Sequence, residues 1–209
     1  MAREITKLVF KTMLVTLLSI VGVAVVFFLI ISFTAPAAMA RLTRDLGMYS
    51  QSAWFSSLQY ADGRGDIENI ELAMTCSSLA GDEAGVAEYG AAFIADSRFA
   101  EYCTAREEEE AGKYRESYTQ FVYGRVSIAY YRIGEKEDGL ELALSVNRTS
   151  FDEYNAVTDL VNEVIVKGDK PFGEEILVSL TELGAADSVA AEDVPHLQSV
   201  IDNLTRFTA

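Results

Sequence analysis

The 209-residue sequence has one histidine, two cysteines and three prolines. A Ser–His–Asp triad, a Cys–His pair or a histidine-based metal site would depend on His196, which follows Pro195 in the predicted first turn of a helix. We expect His196 to be an ordinary surface residue. The sequence also has no P-loop and no G-x-G-x-x-G motif. It therefore predicts no enzymatic activity, no cofactor and no metal site.

Basic residues are scarce, with 17 Lys and Arg against 32 Asp and Glu. Fourteen basic and 31 acidic residues follow Ala40, which gives that part of the chain a formal charge of −17. This charge argues against nucleic acid as a partner and against docking flat on anionic lipid, since both need cationic side chains. It favours basic protein partners, although an ordinary solvated acidic surface is the simpler interpretation.

Charge is absent from residues 12–40, and most of Met13–Phe33 is Leu, Val, Ile or Phe. A helix of about 20 apolar residues crosses a bilayer core. The segment therefore predicts a transmembrane anchor that Pro36 can end, with residues 1–11 as a short cytoplasmic N-terminus. Three basic residues before the segment and two after it favour a domain at residues 41–209 outside the cytoplasm.

A cleaved signal peptide is the alternative interpretation of the same segment. Ala38-Met39-Ala40 fits the A-x-A cleavage pattern, and the mature chain would then begin near Arg41. The apolar core is longer than the roughly 7–15 residues of an ordinary signal sequence, which favours the anchor.

Cys76 and Cys103 are the only cysteines, and no C-x-x-C motif is present. An exported domain would lie in a compartment where disulfides form. A bond between the two cysteines would close a loop and so stabilise the fold by about 3 kcal/mol. Two buried free thiols are the alternative. Neither a redox motif nor a zinc site is indicated.

Beyond Ala40 the apolar residues recur at helical spacing, without a sustained alternating run. The pattern predicts an all-α domain of eight helices paired as four hairpins, followed by a terminal helix capped by Asp193. The clearest predicted segments are Leu42–Tyr60, Ile67–Leu79, Lys113–Ile133, Glu137–Val146, a helix capped by Ser150, and Pro195–Phe207.

An internal repeat relates two of these hairpins. The segment Gly134-Glu-Lys-Glu-Asp-Gly139 recurs 34 residues later as Gly168-Asp-Lys-Pro-Phe-Gly173. Thirty-four residues of helix–turn–helix resemble the tetratricopeptide repeat, and the similarity is clearest over Tyr123–Val146. The chain departs from that pattern at Ala143, Val146 and Phe151.

The resemblance implies a solenoid of helical hairpins with a concave protein-binding face and a C-terminal capping helix. We expect that face to include Tyr118, Tyr123, Arg125, Tyr130 and Glu141, because tyrosine is favoured at interfaces. The predicted function is a membrane-anchored adaptor or accessory subunit that binds proteins in or at the membrane. An irregular helical bundle is the alternative fold.

A structural subunit is the alternative function. The apolar helix would pack against other membrane helices, with the domain as a spacer. Small residues at Ser19, Gly22 and Ala24 would allow close helix contact.

Overall fold

The computed structural model describes residues 2–61, 65–109, 117–147, 151, 154–185 and 189–209, with the backbone alone at residues 2–8 and 61. These residues are all-α and include no strand. Their helices are α1 (Ala2–Thr34), α2 (Pro36–Asp45), α3 (Tyr49–Ala61), α4 (Ile67–Ala80), α5 (Glu83–Ala95), α6 (Phe99–Glu109), α7 (Tyr118–Ile133), α8 (Lys136–Asn147), α9 (Ala156–Lys167), α10 (Lys170–Ala185) and α11 (Val194–Thr208).

Helix α1 contains the predicted apolar segment. Its Val9–Thr34 part spans 26 residues with a mean hydropathy of 3.1, and the most apolar stretch within it is not buried by the rest of the described chain. At 1.5 Å per residue this part is about 39 Å long, which is sufficient to cross a membrane. The helix ends at Thr34, just before Pro36, which is the first residue of α2.

The predicted helix Leu42–Tyr60 is in fact interrupted at Gly47, which separates α2 from α3. Gly47 has φ of 73°, a left-handed conformation that ends helices and is easy only for glycine. The chain then reverses, so that the Ser52 hydroxyl donates to the Ala40 carbonyl at 2.7 Å. As a result Met39 and Ala40, predicted as the end of the anchor, are buried in the domain.

Three clusters of buried side chains follow one another along the described chain. A small one joins Met39, Ala40 and Phe55 to Ile31 of α1. The second lies between α4 and α7 and is built around Phe93, Met74 and Val126. The third lies between α7 and α11 and is the largest; its fully buried members include Phe151, Leu160, Phe172, Ile176, Leu180 and Leu204.

Helix α7 is the centre of this arrangement. It packs on α5 and α6 on one side and on α8 and α9 on the other, while α11 covers α9 and α10. Its N-terminus is capped by Ser117, whose hydroxyl accepts from the Gln120 amide at 3.2 Å. The predicted helix start at Lys113 and the predicted cap at Ser150 lie outside the described residues.

A candidate binding groove along helix α7

One face of α7 is buried, and the face next to it lines a groove. The buried face carries Val122, Val126 and Ala129. A cavity of about 460 Å³ lies along the other face, and helices α4, α5 and α9 contribute to its walls. Its described lining consists of Ser78, Glu83, Phe121, Arg125, Ile128, Arg132 and Asp159.

Close packing of α9 against α7 forms one wall of this groove. A Cβ placed on Gly124 would come within 2.8 Å of the Asp159 carboxylate and 3.3 Å of the Ala156 Cα. The start of α9 is also held by α7 directly, because the buried Gln120 side chain accepts a 3.0 Å hydrogen bond from the Ala156 amide. Asp159 therefore has a fixed position at the rim.

Arg132 connects three helices at one end of the groove. It donates to Glu83 of α5 at 2.6 Å and to Glu163 of α9 at 2.9 Å. The hydrogen bond from Arg132 lowers the pKa of Glu163. Because the Arg132 side chain is 39% exposed, the ion pairs are worth about 0.2–1 kcal/mol each. Their main effect is to fix the spacing of α5, α7 and α9.

Arg125 differs from Arg132 in its surroundings. Its side chain is half-buried, and burial lowers the pKa of its guanidinium. Among the described residues it forms no ion pair, and its nearest aromatic contact is Phe121, 5.8 Å from the guanidinium carbon to the ring centroid. A guanidinium offers five donors suited to carboxylate or carbonyl oxygens. The groove therefore presents an available donor beside the apolar side chains of Phe121 and Ile128.

Of the five residues predicted to form the binding face, Arg125 alone lines this groove. Tyr118 is buried, Tyr123 is half-buried against both large clusters, and Tyr130 is half-buried against the cluster between α4 and α7. Glu141 is exposed on α8. The binding role of these four residues stays a prediction. Phe121, Ile128 and Arg132 were missed, although with Arg125 they recur every three or four residues.

Tyr118 takes part in a hydrogen-bond network centred on Glu71 of α4. The Glu71 carboxylate accepts from the Tyr118 hydroxyl, from the Tyr102 hydroxyl at 2.7 Å and from Arg106 at 3.2 Å. Burial, followed by the charge and hydrogen bond of Glu71, raises the pKa of Tyr118; burial also raises that of Tyr102. The network thus joins α4, α6 and α7 internally.

A second cavity, of about 520 Å³, lies beside this network, between α2, α4 and α6. Arg41 and Arg44 of α2 line it together with Glu68 and Glu109. Arg44 is already paired with Asp45 at 2.9 Å. The mixture of charges gives this cavity no clear preference for an anion or a cation.

Both cysteines are buried and free in the structure. The Cys76 thiol donates to the Ser52 hydroxyl at 3.3 Å. Burial raises the pKa of Cys103 to about 11. The Cys76–Cys103 disulfide stays a prediction. Within the described ranges, no group of three or more His, Cys, Asp or Glu is placed to hold a metal ion.

No protein-family model matches the chain, and neither a curated protein nor a solved structure shows significant similarity to it. The α7 groove must therefore be interpreted from its own residues.

Proposed function

We propose that this chain is a single-pass membrane protein, an adaptor or accessory subunit that binds a segment of a partner protein in the α7 groove. The observation that carries this proposal is Arg125, a half-buried guanidinium without an ion pair among the described residues. A half-buried guanidinium can form charge-assisted hydrogen bonds to a carboxylate, and these are stronger than hydrogen bonds between neutral groups. The partner supplies a carboxylate or carbonyl oxygen to Arg125 and an apolar side chain to Phe121 and Ile128.

The proposed fold is a short tetratricopeptide-like solenoid, supported by two turns. Gly134 and Gly168, 34 residues apart, both have positive φ, at 96° and 72°. Each ends the first helix of a hairpin, α7–α8 or α9–α10. Helices α5, α7 and α9 pack in sequence, as the first helices of stacked hairpins do. The groove is then the concave face of the array.

The second glycine of each unit shows how far the repeat has diverged. A Cβ on Gly139 would come within 2.6 Å of the Ser127 carbonyl oxygen in the partner helix of its own hairpin. A Cβ on Gly173 would instead meet the Phe207 ring of α11 at 3.0 Å. In the α9–α10 hairpin, the equivalent glycine, Gly173, therefore allows close packing of α11. This is expected if α11 caps the array.

Retention of the anchor is supported by the surroundings of the alternative cleavage site. Ala38, Met39 and Ala40 lie within α2, and Met39 and Ala40 are 2% and 0% exposed. Cleavage after Ala40 would remove side chains that pack on Phe55. The proposed orientation places the acidic domain outside the cytoplasm, because Arg3, Lys7 and Lys11 precede the anchor.

Site-specific photocrosslinking in intact membranes tests the binding proposal. A photoreactive residue replaces Ile128 in the groove, and the matched control replaces Val178, which is 59% exposed on α10. We expect one discrete crosslinked partner from residue 128, none from residue 178, and loss of the product when Arg125→Met is added. Recovery of no specific partner from residue 128, or an Arg125→Met chain that crosslinks as well, contradicts the proposal.

The structural-subunit alternative is supported by a groove on α1. Ser19, Gly22, Val23 and Val26 line it at helical spacing, whereas Ala24 does not. The groove would admit a second apolar helix. If Gly22→Ile abolished assembly of a membrane complex while Arg125→Met had no effect, the alternative would replace the adaptor proposal.

A further inference from the structure

Helix α3 is unusual in this acidic chain because it carries no charge. Residues 46–61 include no Asp, Glu, Lys or Arg, although 23% of the whole chain is charged. The exposed face of α3 nevertheless carries two large apolar side chains at i, i+4 spacing, Trp54 at 50% and Leu58 at 38% exposure. A solvated helix face in such a chain would be expected to carry charge.

The position of this face relates it to α1. Ile31, in the last turns of α1, packs on the cluster that contains Phe55. The Trp54 ring centroid is 4.9 Å from that of Phe55. Trp54 therefore lies next to the cluster on which the end of the apolar helix packs. With the bilayer core filled by about 20 residues from Met13 to Phe33, Ile31 lies near the outer boundary of the hydrocarbon.

We infer that Trp54 and Leu58 lie in the headgroup region of the bilayer that α1 crosses, so that the α2–α3 hairpin docks on the membrane surface. This inference rests on the membrane anchoring proposed above. Tryptophan is enriched at the membrane–water interface, where its ring is apolar and its N–H reaches polar groups. Arg41, exposed on α2, provides a cation at the level of the lipid phosphates.

Only the uncharged face of α3 docks on the membrane. The −17 charge of the chain after Ala40 is therefore compatible with this docking. An acidic surface is repelled by anionic lipid, whereas an uncharged face is tolerated by zwitterionic headgroups. A second attachment next to α1 also restricts how the domain tilts. The α7 groove then has a defined orientation relative to the bilayer.

Trp54 is the only tryptophan, so the fluorescence of the full-length chain reports on this position alone. The protein is reconstituted in phosphatidylcholine vesicles with bromine either near the headgroup end or near the terminal end of the acyl chains. We expect strong quenching of Trp54 by the first lipid, weaker quenching by the second, and protection from acrylamide. The control chain combines Trp54→Phe with Val178→Trp and should be quenched by acrylamide but by neither lipid.

Three results overturn the inference. If acrylamide quenches Trp54 and neither lipid does, Trp54 lies in water. If neither acrylamide nor lipid quenches Trp54, the side chain is covered by protein, for example by a second copy of the chain. Equal lipid quenching at residues 54 and 178 shows no specific docking of α3. Vesicle flotation separates the proposals: a chain that does not float overturns anchoring as well, whereas a floating chain with unquenched Trp54 overturns docking alone.

Discussion

Gly90 of α5 lies so close to Val126 of α7 that a Cβ on residue 90 would come within 2.2 Å of the Val126 Cγ2. Val126 is fully buried, so its side chain has no space into which it can move. The crossing of α5 and α7, which forms one side of the groove, therefore depends on a glycine at residue 90.

Gly90→Ala should lower the free energy of unfolding by about 1–3 kcal/mol, because the added methyl group forces α5 and α7 apart. Thermal and urea unfolding of the full-length chain in detergent, followed by circular dichroism, measures the change. Gly184→Ala is the matched control: its Cβ would meet Leu197 at 3.5 Å, an ordinary contact. That control should be neutral, or stabilising by about 0.5–1 kcal/mol. Equal effects of the two substitutions would contradict the packing described.

Tyr118→Phe removes a hydroxyl that donates to the half-buried Glu71 carboxylate. We expect a loss of about 1–3 kcal/mol in the free energy of unfolding, because the fold loses a hydrogen bond to a charged group. Tyr89→Phe is the control, since no described residue accepts a hydrogen bond from the half-buried Tyr89 hydroxyl. If Tyr118 instead belongs to an exposed binding face, its substitution will weaken partner capture and leave unfolding unchanged.

Lys136→Met tests the ion pair that joins α8 to Asp169. The hydrogen bond from Lys136 is the main cause that lowers the pKa of Asp169 below its ordinary value. A lowered folded-state pKa contributes stability above the unfolded value, about 4, which is lost as the pH falls through the folded value. The variant should therefore be less stable than the native chain at neutral pH, and the difference should disappear in acid, once the pH falls below the lowered pKa of Asp169.

Lys170→Met provides the control for that experiment, because Lys170 is exposed and has no ion pair among the described residues. It makes the same change in net charge. Urea unfolding at a series of pH values compares the two variants. A Lys136→Met deficit that persists unchanged in acid would mean that lost packing, and not the Asp169 carboxylate, causes it.

Buried thiols lead to a prediction about alkylation. Cys76 and Cys103 are 0% and 1% exposed, so maleimide should modify the folded chain slowly and the urea-unfolded chain rapidly. Slow modification should persist at about pH 9, because burial raises the pKa of Cys103 to about 11. A raised folded-state pKa also means that Cys103 stabilises the fold below the unfolded value, and that this contribution is lost as the pH rises toward 11.

Mass spectrometry of the alkylated protein also tests the predicted disulfide. A chain isolated without reductant that accepts two maleimides after unfolding has two free thiols, as in the structure. A chain that accepts none until it is reduced contains the Cys76–Cys103 bond.

The sequence predicted the all-α class, the apolar N-terminal helix and most helix ends after residue 117, because those features depend on local patterns. Gly134 and Gly168 end α7 and α9 as expected. Gly47 was overlooked because the apolar periodicity continues through it. The environment of Tyr118 depends on Glu71, 47 residues away, and no local pattern indicates such a partner. Phe121 packs on the cluster between α4 and α7 and also lines the groove, so its spacing alone does not indicate which face it belongs to.

The Glu71 network also has a consequence for the order of synthesis. A ribosome adds about 5–20 residues per second, so Tyr118 follows Glu71 by roughly 2–9 seconds. During that interval Tyr102 and Arg106 of α6 are the described partners of Glu71 that have already been synthesised. The network that joins α4, α6 and α7 is therefore complete only after α7 has been made, well after the anchor.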